Sequence, residues 1–145
     1  MELSCKTEYA LLALLELAAG YNEGEPLQIR QIAAQQNIPD RYLEQLLAIL
    51  RRSGLVRSQR GAKGGYLLGR EPWKITLLDI VSCLEGLESQ GSEKDAIPKT
   101  VESAVVAEIW QEVHQAVNLV LQQYTLQDLC EQRNTRRQMD IMYYI

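Results

Sequence analysis

Between Leu55 and Arg70, two short strand-like runs flank a glycine-rich, basic tip. The runs are Leu55-Val56-Arg57-Ser58-Gln59-Arg60 and Tyr66-Leu67-Leu68-Gly69-Arg70, and the tip is Gly61-Ala62-Lys63-Gly64-Gly65. This is the pattern of a β-hairpin, and the residues before it read as a pair of helices. Gln28 to Gln36 places Ile29, Ile32 and Ala33 on one face, and Asn37 ends it. Pro39 presets the first turn of the next helix, where Asp40 meets the positive end of the helix dipole. That helix runs to Ser53 on an apolar stripe of Tyr42, Leu43, Leu46, Leu47, Ile49 and Leu50, and Gly54 closes it. Two helices separated by about three residues, the second opening with polar side chains, make a helix-turn-helix. With the hairpin behind it, the segment reads as a winged helix-turn-helix.

The remaining elements are helical. Ser4 to Ala19 is rich in Leu, Ala and Glu and stops at Gly20. Thr76 with Asp79 forms a near capping box for a short helix ending at Gly86. Leu87 to Lys99 is a polar linker containing Gly91 and Pro98. From Thr100 to Tyr124 a long helix carries Val106, Ile109, Val113, Ala116, Val120 and Tyr124 at steps of three and four, widened by Val101, Val105, Val117 and Leu121. At 1.5 Å per residue it is roughly 35 Å long, more than a small winged domain covers, so those six residues are expected to pair with a second copy. A short last helix is expected from Thr125 to about Arg133, with Arg136 and Arg137 facing solvent. The apolar end from Met139 to Ile145 is expected to dock as a strand or extended arm. The fold class is therefore mainly α: an N-terminal winged helix-turn-helix with a two-stranded wing hairpin, plus a long C-terminal dimerisation helix. The expected divisions are 1–86 for DNA binding, 87–99 as linker and 100–145 for dimerisation and tail.

Charge divides the same way. The net charge of -4 splits into +2 for residues 1–70 and -6 for the rest. Arg51, Arg52, Arg57, Arg60, Lys63 and Arg70 follow one another without an intervening acid, which points to an anionic partner or, alternatively, a solvated face. The glycines do not form a phosphate-binding P-loop, because they lie between two strands and lack the Lys-Ser/Thr pair. One His and scattered acids supply no nucleophile–base or paired-carboxylate constellation, so an enzyme is not expected. The nearly apolar run Tyr9 to Gly20 contains Glu16, is too short to cross a bilayer and follows no basic stretch. Three Cys without a C-x-x-C pair fit a reducing compartment better than a disulfide framework, and a cytoplasmic protein without a membrane partner is expected. Cys83 has the spacing of a core thiol. Cys5, at the start of the first helix where the dipole favours a thiolate, is the candidate redox thiol. A protein-interaction adaptor or a thiol-based sensor on the same fold stays open beside the DNA-binding regulator.

Tyr42-Leu43-Glu44-Gln45-Leu46, Ser53-Gly54-Leu55-Val56, Arg60-Gly61 and Gly64-Gly65-Tyr66-Leu67-Leu68-Gly69 resemble the winged-helix regulator family of IscR, NsrR and CymR. Ile75-Thr76, Asp79-Ile80-Val81, Leu84-Glu85-Gly86 and the Met142-Tyr143-Tyr144-Ile145 ending look most like its CymR branch. The resemblance implies a homodimer on an inverted-repeat operator of double-stranded DNA, acting as a repressor. It matches Glu44 to the recognition-helix glutamate and Arg60 to the wing arginine. A Glu in the major groove accepts from a cytosine amine, and an Arg is drawn to a narrow minor groove. The DNA-binding set is Gln28, Pro39, Asp40, Arg41, Tyr42, Glu44, Gln45, Arg51, Arg57, Arg60 and Lys63. Cluster-binding members carry three Cys in the linker and, in some, a nearby His. Here residues 87–99 hold no Cys, and Ala107 stands at the position matching that His. No cofactor or metal is expected, and His114 is read as a surface or dimer-interface residue. The CymR branch works with a cysteine-biosynthetic enzyme, which implies a regulatory partner protein, with Met139 to Ile145 as a candidate docking surface.

Overall fold

The computed structural model describes residues 3–85 and 100–143. Its first helix, α1 (Cys5–Ala19), starts at Ser4, whose hydroxyl accepts from the Thr7 amide at 3.2 Å. Ala10, Ala13, Leu14 and Leu17 bury one face of α1, and the small alanines let neighbouring helices approach closely. Helix α2 (Ile29–Gln36) ends at Asn37, which takes the left-handed conformation at φ 58° that Asn tolerates better than most residues. Ile38 is buried, Pro39 caps, and α3 (Asp40–Arg52) then buries Leu43, Leu46, Leu47 and Leu50. Each fully buried leucine is worth about 2–3 kcal/mol, so this stripe determines which face of α3 remains in water.

The wing is strand β1 (Val56–Gln59) antiparallel to β2 (Gly65–Leu68), with Val56 opposite Leu68 and Gln59 opposite Gly65. The strands are shorter than the sequence runs, so Arg60 belongs to the turn and Arg70 lies beyond the sheet. Leu27 adds a one-residue bridge: its amide donates to Tyr66 O at 3.0 Å, and its carbonyl accepts from Tyr66 N at 2.8 Å. A Cβ at position 65 would stand 2.5 Å from the Leu27 carbonyl oxygen, so this approach requires glycine. Gly61, at φ +117°, supplies the turn conformation that other residues avoid.

Helix α4 (Leu77–Glu85) packs Ile80 and Leu84 into the core. The long helix α5 (Val101–Gln123) is capped by Thr100, whose hydroxyl accepts from the Ser103 amide at 3.0 Å. It has no buried residue. Its apolar surface divides in two, with Val117 and Leu121 half-buried toward α4 and Val106, Ile109 and Val120 left 64%, 56% and 52% exposed. The linker expected at 87–99 and the closing Gly86 lie outside the described residues.

The C-terminal expectation requires correction. In place of a short helix and an extended arm, the chain forms one continuous helix, α6 (Leu126–Tyr143), through the expected break near Arg133. Nothing between Leu126 and Tyr143 is Gly or Pro, and Leu, Gln, Arg and Met favour helix. Leu126 is fully buried in the core, and Arg133 Nη1 donates to the Leu15 carbonyl of α1 at 3.3 Å. Met139, Ile141 and Met142 remain exposed rather than docked. Tyr144 and Ile145, the last residues of the expected arm, lie outside the described residues.

Candidate nucleic-acid interface

With Leu43, Leu46, Leu47 and Leu50 turned inward, α3 presents Asp40, Arg41, Glu44 and Gln45 to solvent on its N-terminal half. Pro39 precedes them at the helix cap. Tyr42 is different: it is half-buried, its ring edge-on to Tyr9 of α1 with centroids 5.5 Å apart, so it braces α3 against the core. Arg51 and Arg52 occupy the last turn, and Arg51 Nη1 donates to Ser58 Oγ of β1 at 3.4 Å. Arg57, Arg60 and Lys63 project from the wing. Among the described residues, Arg51, Arg52, Arg57, Arg60 and Lys63 are all exposed and none has a carboxylate partner. Arg70, from the same basic run, is engaged elsewhere, 3.8 Å from Asp79 Oδ2.

Gln28 sits at the start of α2, its amide donating to Gln31 Oε1 at 2.8 Å. Because Leu27 is bonded to Tyr66, the wing tip lies beside this helix start. Gln28, Gln31, Gln59, Lys63 and Gly64 line one shallow depression. Gln31 and Gln59 are not among the residues expected from sequence. The Gln28–Gln31 spacing hints at a reciprocal cap, but nothing local foretells that Gln59 faces it.

A helix pair and an adjoining wing carrying five unpaired cations form a surface suited to a phosphate backbone. The family model described as iron-dependent transcriptional regulator, Rrf2, matches residues 3–132. The chain belongs to the Rrf2 family. It is 39% identical to the HTH-type transcriptional regulator CymR of Bacillus subtilis over 145 residues, the full length of both. In structure it resembles the IscR of T. potens (TM-score 0.74, 37% identity, covering 92% of this chain and 88% of that one). It also resembles CymR of B. subtilis, described as the global cysteine regulator (TM-score 0.71, 40% identity, covering 90% and 97%). The chain is thus a DNA-binding transcriptional regulator of helix-turn-helix type, not an enzyme, and no described helix is long and apolar enough to cross a membrane.

The iron in the Rrf2 description does not match this chain's donors. A cluster needs four ligands, largely thiolates. Cys5 is exposed on α1, Cys130 is buried on α6, and Cys83 on α4 is half-buried with its sulfur 2.7 Å from Ser53 Oγ. Segment 87–99 supplies neither Cys nor His, and among the described residues no group of three His, Cys, Asp or Glu is arranged to hold an ion. Burial pushes the Cys130 thiol above its ordinary pKa, with Arg133 opposing. The folded state thus holds that proton more tightly, a contribution present at neutral pH and lost as pH rises past the ordinary thiol range. A maleimide reagent at neutral pH is expected to label Cys5 first, Cys83 more slowly, and Cys130 only when the fold opens. Early labelling of Cys130, read by peptide mass, would contradict this burial.

Proposed function

We propose that this Rrf2 regulator is a homodimeric repressor that binds an inverted-repeat operator and works without an iron–sulfur cluster. In this reading residues 1–86 bind DNA, 87–99 link, and 100–145 pair two copies and carry the C-terminal helix. The observation that carries it is the row of five exposed, unpaired cations running from the end of α3 onto the wing, beside the exposed polar half of α3. Such cations have no ion pairs to break when phosphates arrive. In this arrangement Glu44, Gln45 and Arg41 read base edges, and Arg60 enters the minor groove. Arg51, Arg57, Lys63 and the α2 start at Gln28 hold the backbone. The exposed Val106, Ile109 and Val120 of α5, with Val113, Ala116 and Tyr124, meet their copies across a twofold axis. Likeness to B. subtilis CymR, the global cysteine regulator of that organism, extends the proposal to cysteine supply as the regulated process. The exposed end of α6, with Met139, Ile141 and Met142, is the surface proposed for a regulatory partner protein such as a cysteine-biosynthetic enzyme.

The test is selection of bound duplexes from a randomised library, followed by footprinting. Two protected half-sites, about 34–36 Å apart or a multiple of that, are expected for paired reading heads. A single protected half-site would remove the dimer from the reading. Glu44→Ala should relax base preference at one position per half-site, by about 1–3 kcal/mol of lost discrimination.

A further inference from the structure

Where α5 gives way to α6, the chain is bridged to the start of α4 at one compact junction. Leu77 N donates to the Tyr124 carbonyl at 2.9 Å, and Leu126 N donates to the Ile75 carbonyl at 2.8 Å, so Thr76 and Thr125 face each other as an isolated antiparallel bridge. Each of these threonines opens a helix, and each helix is closed by the same reciprocal cap. Thr76 N donates to Asp79 Oδ2 at 3.0 Å while Asp79 N donates to Thr76 Oγ1 at 3.1 Å. Thr125 N donates to Asp128 Oδ2 at 2.9 Å while Asp128 N donates to Thr125 Oγ1 at 3.2 Å. Asp79 Oδ2 is also the oxygen nearest Arg70, which follows the wing's second strand. One carboxylate thus touches the wing's exit and the start of α4, and the bridge at Thr76 carries the connection to the α5–α6 corner.

This geometry matters because, among the described residues, α5 is otherwise held along one flank only. None of its residues is buried, and its main helix neighbour is α4. Its direction relative to α3 and the wing is set by the flank that lays Val113, Val117 and Leu121 beside Val81 and Glu85 of α4, and by the junction at its C-terminal end. A helix of this length acts as a lever of roughly 35 Å. A tilt of about 10° at the junction displaces the far end by about 6 Å, nearly two base-pair rises of about 3.4 Å.

We propose that Asp79 and Asp128 are positioning residues that, through the twin caps and the Thr76–Thr125 bridge, fix the angle between the reading head and α5. They thereby set the half-site spacing the dimer accepts. The inference rests on the dimeric DNA-binding reading above. The probe is the duplex selected by the wild-type protein, together with derivatives carrying one base pair more or fewer between the half-sites.

The wild type should prefer the selected spacing by at least about tenfold, since one base pair also rotates a half-site by about 36° on a helix of about ten pairs per turn. Asp79→Ala with Asp128→Ala should shrink that preference at least about threefold, because a slack corner adapts to the wrong spacing, and the loss of two caps predicts a lower melting temperature as well. Asp79→Asn with Asp128→Asn keeps an accepting oxygen at both caps and should restore the preference. If the alanine pair does not melt cooperatively, the single variant Asp128→Ala, which leaves α4 capped, is read in the same way. General destabilisation lowers affinity for every spacing alike and leaves the ratio unchanged, so an unchanged ratio in folded alanine variants overturns the proposal. A wild type indifferent to spacing overturns the dimeric reading itself.

Discussion

Arg60→Ala is expected to weaken operator binding more than any other single substitution in the wing. Arg60 stands in the turn beyond β1, exposed and without a carboxylate partner, next to the Gly61 that shapes the tip. A well-made base contact is worth about 1–3 kcal/mol, and a symmetric dimer loses it twice. The expected loss is therefore at least about 2 kcal/mol, close to thirtyfold in affinity. Fold stability should hardly change, because among the described residues the side chain has no ion-pair partner. Arg60→Lys keeps the charge but is more strongly hydrated and lacks the planar guanidinium, so it should recover only part of the loss. Salt dependence adds a second reading. Each phosphate left without its cation removes about 0.9 from the slope of log affinity against log salt, so Arg57→Ala and Lys63→Ala should flatten the slope across sequences. Equal binding by wild type and Arg60→Ala to the footprinted site would sink the wing assignment.

The reading head is legible in the sequence because its signals are local. Leucines at helical spacing, Asn37 and Pro39 at the turn, and glycines at the wing tip each state a backbone preference that packing then agrees with. Which side of α3 faces solvent follows from the leucines alone, and that places Glu44 and Gln45 on the outer face. Tyr42 is harder to place, since its ring lies at the edge of the leucine stripe and its edge-on contact is with Tyr9 on another helix. Gln59 is invisible because the Leu27–Tyr66 bridge that brings it to α2 joins residues far apart in sequence. The C-terminal helix departs from expectation for a different reason. An apolar ending suggests docking, but no residue there stops the helix, and helical propensity prevails. The cap at Thr125 and Asp128 repeats the spacing of Thr76 and Asp79, and it marks the start of α6.

Ile109→Glu combined with Val113→Lys is expected to convert the protein to a folded monomer. Ile109 is 56% exposed, and Val113, at the rim of the groove between α5 and α4, is 38% exposed, so neither charge is forced into the protomer's own core. A Glu four residues before a Lys on one helix forms a favourable pair worth about 0.2–0.5 kcal/mol, so α5 itself should remain helical. A twofold interface along this face would have to desolvate the two charges from each copy, at an effective cost of several kcal/mol per ion. That cost is large against the energy of a typical dimer, and an increase of at least about a hundredfold in the dimer dissociation constant is expected. Sedimentation velocity supplies the mass and far-ultraviolet circular dichroism the helix content, so loss of pairing is separated from loss of fold. Operator affinity should fall with dimerisation, since a lone head engages one half-site, while weak, salt-sensitive binding to any duplex persists through Arg51, Arg57, Arg60 and Lys63. A wild type already monomeric at micromolar concentration, or a doubly substituted protein that still sediments as a dimer, would place the pairing surface somewhere other than this face of α5.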